Sequence, residues 1–134
     1  MSHIIHVAVG VLIDDKHCVL LARRLKGTHL EGFWEFPGGK VEAEETVKMA
    51  LNRELREELG ITVDRTSPLL TISHDYGEKQ VLLDVHRVEA WLGEPFGAEG
   101  QPIAWVDARS LGDFQVPAAN AEIMARVAEL LNAG

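Results

Sequence analysis

Cysteine is almost missing from this chain. Cys18 stands alone, which excludes an intrachain disulfide and any zinc site built on several cysteines, and agrees with a reducing compartment. Its simplest role is that of a small apolar side chain in the interior. Basic charge is also scarce, with 13 Lys and Arg against 21 Asp and Glu and a net charge of -8. No extended basic surface can therefore neutralise a nucleic-acid backbone, although an acidic protein can still hold a small anion through bridging metal ions. Long apolar runs are absent too. The stretch Val7 to Ile13 is too short to span a membrane, lacks a basic leader and ends at Asp14-Asp15, so the cytoplasm is the expected location.

What is present suffices for one domain spanning 1–134. Hydrophobic residues make up 46% of the chain and the mean hydropathy is -0.01, values of a globular protein with material for a core. No repeat, linker or low-complexity tract interrupts it. His6 to Ile13 and Cys18 to Ala22 read as strands around a turn at Asp14-Asp15-Lys16, and a hairpin is the simplest expectation. Arg23 to Glu31 reads as a surface loop leading into Phe33-Trp34-Glu35-Phe36-Pro37-Gly38-Gly39, where proline and glycines predict a tight turn.

The period then changes. Val47, Leu51, Leu55 and Leu59 recur every four residues as one stripe of a helix, which Gly60 can end in a left-handed cap. Leu69 to His74 and Gln80 to Trp91 predict a second hairpin through Tyr76-Gly77-Glu78. Gly93 to Pro102 is a loop by composition, Ile103 to Val106 a short strand, and Ala121 to Leu131 a helix with Ile123, Val127, Leu130 and Leu131 on its apolar side. These elements suggest an α/β or α+β sandwich.

The chemistry sits on the first helix, in Arg53-Glu54-Leu55-Arg56-Glu57-Glu58-Leu59-Gly60-Ile61. At the helical repeat Glu54, Glu57 and Glu58 project within an arc of about 100°. Crowding three carboxylates is costly, and an acidic face relieved by Arg53 and Arg56 is the bland explanation. A hard divalent cation such as magnesium, however, wants this set of oxygen ligands.

The surrounding residues favour the cation. Gly39, Glu45, Arg53, Glu54, Leu55, Glu57, Glu58, Gly60 and Ile61 occupy every defined position of a pattern that resembles the Nudix box: Gly, five residues, Glu, seven residues, Arg-Glu, aliphatic, any, Glu-Glu, any, Gly, aliphatic. Its single-type positions would match by chance on the order of once in 10⁹ placements. The resemblance implies an α/β/α sandwich with a mixed sheet and a metal-dependent hydrolase of phosphoanhydride bonds using Mg2+, with Mn2+ as substitute. It further implies Glu54, Glu57, Glu58 and the Gly38 carbonyl as metal ligands, Glu45 and Arg53 as supports, and Glu54 as activator of the attacking water. Glu99, in Gly97-Ala98-Glu99-Gly100, occupies the place of one more carboxylate; otherwise it is an ordinary loop glutamate.

More of the chain, from about Ile5 to Ala128, is similar to the MutT branch, whose members hydrolyse 8-oxo-dGTP to the monophosphate and pyrophosphate and keep oxidised guanine out of DNA. That similarity rests on Ala8-Val9-Gly10, Arg23-Arg24, Glu35-Phe36-Pro37-Gly38-Gly39-Lys40, Gly93-Glu94-Pro95-Phe96-Gly97, Glu99-Gly100-Gln101-Pro102 and Pro117-Ala118-Ala119-Asn120. It implies substrate contacts from Arg24, His29, Glu35, Phe36, Lys40 and Asn120. An asparagine amide offers donor and acceptor side by side, and 8-oxoguanine differs from guanine in carrying a proton on N7. Asn120 is accordingly the expected reader of the base, with helix capping as its competing role.

The expected partner is a nucleoside triphosphate, with no nucleic-acid polymer and no membrane, and the chain a monomer or weak homodimer. The competing readings are a Nudix enzyme for CTP, a modified pyrimidine triphosphate or a dinucleoside polyphosphate, and a nucleotide-binding module without catalysis. Lys79 departs from the arginine common in the branch, and Tyr76 lies where dinucleoside-polyphosphate hydrolases often carry tyrosine. His3 and His6 point to opposite faces of a strand, and His17, His74 and His86 look isolated. Trp34, Trp91 and Trp105 read as packing residues.

Overall fold

The computed structural model describes residues 3–133. They form strands β1 (His3–Leu12), β2 (Val19–Arg23), β3 (Trp34–Glu35) and β4 (Gly38–Lys40), helix α1 (Val47–Leu59), strands β5 (Thr62–Asp75), β6 (Lys79–Leu92) and β7 (Ile103–Val106), and helix α2 (Ala121–Ala133). Single 3-10 turns cover Leu111–Asp113 and Ala118–Asn120. One sheet has the order β4-β1-β6-β5 and the other β3-β2-β7. Within the first, β1 and β6 are parallel while the outer pairs are antiparallel, so the expected mixed sheet is present.

The alternation of side chains along β1 explains the layers. Ala8 and Leu12 pack with Leu51, Leu55 and Leu59 of α1, whereas Val9 and Val11 pack with Ile123, Val127 and Leu131 of α2. The two helices thus cover opposite faces of β1, the α/β/α arrangement expected. Burying each of those leucines contributes roughly 1.5–3 kcal/mol, enough to fix the rotation of α1 about its axis. No helix among the described residues is long and apolar enough to cross a membrane.

The expected hairpin of β1 with β2 is not formed. The turn exists: the Asp14 carboxylate accepts from the Lys16 and Cys18 backbone N–H groups, and Ile13 bridges Val19. Beyond that bridge the strands diverge into different sheets, β1 running parallel to β6 from His3↔Lys79 to Leu12↔Val88. A central parallel strand is buried on both faces, and the unbroken apolar run from Val7 to Ile13 is its signature. The predicted tight turn before α1 also differs, since β3 and β4 flank Phe36-Pro37. Strand β5 begins at Thr62 rather than Leu69. It is an edge strand with register shifts between Val63 and Thr66 and around Pro68, and a proline is tolerated at such a bulge.

Candidate active site

Helix α1 starts where the Thr46 hydroxyl accepts the Met49 N–H at 3.1 Å, and ends at Gly60, whose φ of 69° is left-handed as expected. Leu51, Leu55 and Leu59 hold one side in the core, so Arg53, Glu54 and Glu58 stand toward the β4 side and the loop that precedes the helix. Arg53 ties that loop down. Its Nε and one terminal nitrogen donate to the two Glu45 oxygens at 2.8 and 2.9 Å, its other terminal nitrogen to Glu54 Oε1 at 2.6 Å, and it reaches the Lys40 carbonyl at 2.9 Å. A planar guanidinium is suited to this fork, which an ammonium could not reproduce. Hydrogen bonding to Arg53 holds the Glu45 carboxyl down at about 2, with the Glu42 N–H assisting.

Glu58 is in the opposite condition. Burial pushes its carboxyl up to about 8, repulsion from Glu54, Glu35 and Glu99 adds to this, and a 3.2 Å hydrogen bond from the Gly38 N–H opposes it. Two adjacent glycines bring the strand this close. A Cβ at Gly38, whose φ is 152°, would run into the Ala8 carbonyl oxygen, and a Cβ at Gly39 would sit 2.5 and 2.7 Å from the Glu54 carboxylate oxygens.

Most of the candidate residues line one of three cavities, and Glu54, His29 and Lys40 line none of the three. Glu58, Glu99, Glu35, Arg24 and Gln101 line one. Asn120, Phe36, Gly38, Gly39, Val7, Val9 and Leu83 line a second, which shares Arg24 and Glu35 with the first. Glu57 is exposed and lines a third with Glu45, Arg53 and Arg56. Arg24 donates to Glu35 at 2.6 Å and to the His29 carbonyl at 2.5 Å. His29 thus contributes its backbone, and its side chain borders none of these cavities. Phe36 is buried in the core and also lines the second cavity. Lys40 is exposed outside all three, its carbonyl being the part engaged. Asn120 ends the 3-10 turn before α2, its N–H bonded to the Pro117 carbonyl.

Two features escaped the sequence reading. Gln101, noted there only within a shared motif, is buried and bonded at both ends of its amide. His86 is not isolated: the parallel pairing of β1 and β6 joins it to His6 through Asp84, with Nε2 to carboxylate distances of 3.3 and 3.1 Å. A link between residues 78 positions apart is invisible until the strand order is known.

The donor chemistry fits a hard divalent cation. Every candidate group is an oxygen, and a buried carboxyl facing three others is relieved by a nearby positive charge. Among the described residues no trio of His, Cys, Asp and Glu side chains is already gathered around one point.

A NUDIX domain model matches residues 8–126. An 8-oxo-dGTP diphosphatase of Escherichia coli is 35% identical over 94% of this chain and 98% of its own length. The corresponding Haemophilus influenzae protein is 40% identical over 92% and 91%. A CTP pyrophosphohydrolase of Escherichia coli is 33% identical over 86% and 84%. Among solved structures, one of MutT, from work on the Aliivibrio salmonicida and Vibrio cholerae proteins, superimposes with a TM-score of 0.85 at 35% identity, covering 95% of this chain and 98% of the other. Fold, glutamate helix and family match agree, and the chain belongs to the Nudix family, whose hydrolases work with a divalent metal.

Proposed function

We propose that this protein is a pyrophosphohydrolase that converts 8-oxo-dGTP to 8-oxo-dGMP and pyrophosphate, with Mg2+ as the working cation and Mn2+ as a substitute. The observation that carries the reading is a pair of cavities with two lining residues in common: Glu58 and Glu99 line one, Asn120 lines the other, and Arg24 and Glu35 border both. A triphosphate lying across them puts its charged end at the glutamates and its base at Asn120. The similarity of the chain to 8-oxo-dGTP diphosphatases over nearly its full length supports the same substrate.

Glu54, Glu57, Glu58, Glu99 and the Gly38 carbonyl would hold the cation, which supplies charge neutralisation for the phosphates and a more acidic bound water. The chain's own residues do the rest. Arg53 fixes the Glu54 carboxylate by a charged hydrogen bond, and Glu54 accepts the proton of the attacking water. Glu45 keeps Arg53 in place. Arg24, tethered to Glu35, lends its guanidinium to the nucleotide between base and phosphates. In the second cavity the Asn120 amide accepts from the N7–H of 8-oxoguanine and donates to O6, which guanine cannot match without leaving an acceptor opposed to an acceptor. Phe36 lines the substrate side of the second cavity, and His29 and Lys40 act through their carbonyls, which hold Arg24 and Arg53. The protein acts in the cytoplasm on the free nucleotide pool, as a monomer or weak homodimer and a single 1–134 domain, and has no nucleic-acid polymer or membrane as partner.

The test is kcat/KM for 8-oxo-dGTP beside dGTP and CTP with Mg2+. A preference of a hundredfold or more for the oxidised base, about 2.7 kcal/mol in the transition state, is expected. Equal rates on the three would leave a Nudix triphosphatase whose base is not read at Asn120.

A further inference from the structure

Loop 93–102 is docked on the C-terminal end of α1 by its backbone and by one side chain. The Phe96 N–H donates to the Leu59 carbonyl at 3.1 Å and the Ala98 N–H to the Glu58 carbonyl at 3.0 Å. The Glu58 carbonyl also accepts the Gln101 side-chain N–H at 2.7 Å, and Gln101 Oε1 accepts the Glu99 backbone N–H at 2.9 Å. Gln101 is only 8% exposed, and among the described residues it is the one polar side chain buried to that degree. The orientation of its amide is not ambiguous, because a carbonyl can only accept and a backbone N–H can only donate.

One buried amide therefore connects the backbone of one acidic residue to the backbone of the other, and all three border the same cavity. The turn between them is tight: the Gly100 N–H bonds the Gly97 carbonyl at 3.0 Å, and a Cβ at Gly97 would collide with the Gln101 carbonyl oxygen. Glu99 itself is exposed, and among the described residues no side-chain hydrogen bond of its own holds it against Glu58. Its position in the cavity depends on its backbone, and the buried bond to that backbone comes from Gln101.

We propose that Gln101 is a positioning residue that holds Glu99 beside Glu58 so that the two carboxylates bind a divalent cation together; this rests on the reading of both glutamates as cation ligands. An amide is required because the bridge needs an acceptor at one end and a donor at the other. Methionine fills the same space and makes neither bond. The loop would keep its two backbone contacts to α1, so Gln101→Met releases Glu99 without detaching the loop.

The experiment uses the nucleotide-free protein and Mn2+ alone, with free Mn2+ read by its paramagnetic resonance signal, for wild type, Glu99→Gln, Gln101→Met and the double variant. Thermal unfolding is recorded on each. Gln101→Met is expected to weaken Mn2+ binding about tenfold to a hundredfold, as outer partners of metal ligands commonly do. In the Glu99→Gln background it is expected to change affinity less than twofold, because the carboxylate it positions is already gone. The Mg2+ concentration for half-maximal turnover should rise in parallel while KM for the nucleotide at saturating Mg2+ stays put. If Gln101→Met does not fold, Gln101→Asn, whose amide is one methylene short of both partners, carries the same comparison. Equal losses in both backgrounds, or no loss beside a clear effect of Glu99→Gln, would overturn the role of Gln101 and leave Glu99 as a ligand. Unchanged Mn2+ binding in Glu99→Gln alone would overturn both.

Discussion

Gly39→Ala separates the geometry of the glutamate site from the stability of the fold. The backbone at Gly39 is one any residue can adopt, unlike that at Gly38, so an alanine is not strained by its conformation. Its Cβ, however, would lie 2.4 Å from the Glu54 carboxyl carbon and 2.5 and 2.7 Å from its oxygens. An ordinary contact between carbons needs about 3.5 Å, so the carboxylate must retreat by roughly 1 Å. It cannot do so freely, because Arg53 holds Oε1 at 2.6 Å and is itself bound to Glu45. Displacing a reacting group by about 1 Å costs on the order of a hundredfold in rate, about 2.7 kcal/mol. We expect Gly39→Ala to lower kcat/KM by about that factor while the unfolding midpoint changes little. In a Glu54→Gln background the same substitution should cost far less, since groups acting as a unit are not additive. Near-wild-type turnover in Gly39→Ala would refute the placement of Glu54 in the reaction.

Three further outcomes are expected. Glu58 is raised from an ordinary 4.5 to about 8, so in the metal-free protein it contributes stability that is present below pH 4.5 and lost as pH rises through 8. A cation must displace that proton, so Mg2+ affinity should climb up to tenfold per unit below about pH 8 and then level off. Calorimetric titration measures this, and Glu58→Gln should abolish the slope. Glu57→Gln keeps shape and removes charge; despite the exposure of Glu57, kcat should fall at least about tenfold, consistent with loss of a metal ligand. Asn120→Ala should reduce the preference for 8-oxo-dGTP over dGTP about tenfold or more with a smaller effect on kcat, measured by competition between the two substrates.

Local features were legible in the sequence and long-range ones were not. The leucine stripe ending at Gly60 defined α1 because a helix is specified by neighbours three and four apart, and the same spacing put Glu54 and Glu58 together beside that stripe. The partner of β1 was misread because a turn at Asp14-Asp15-Lys16 is a local signal, whereas pairing with β6 depends on burial on both faces. Gln101 carried no signal beyond its place in a shared motif, since a glutamine reveals its role only when its two partners, Glu58 and Glu99, are seen in space. The same is true of Asp84 between His6 and His86.

Metal-dependent release of pyrophosphate from 8-oxo-dGTP is tested by the product balance when purified protein meets that nucleotide with Mg2+ and with Mg2+ chelated. The expected products are 8-oxo-dGMP and pyrophosphate in equal amounts, with turnover lost on chelation and restored by added Mg2+. Release of inorganic phosphate with the diphosphate, or turnover that persists without the cation, would contradict that reaction.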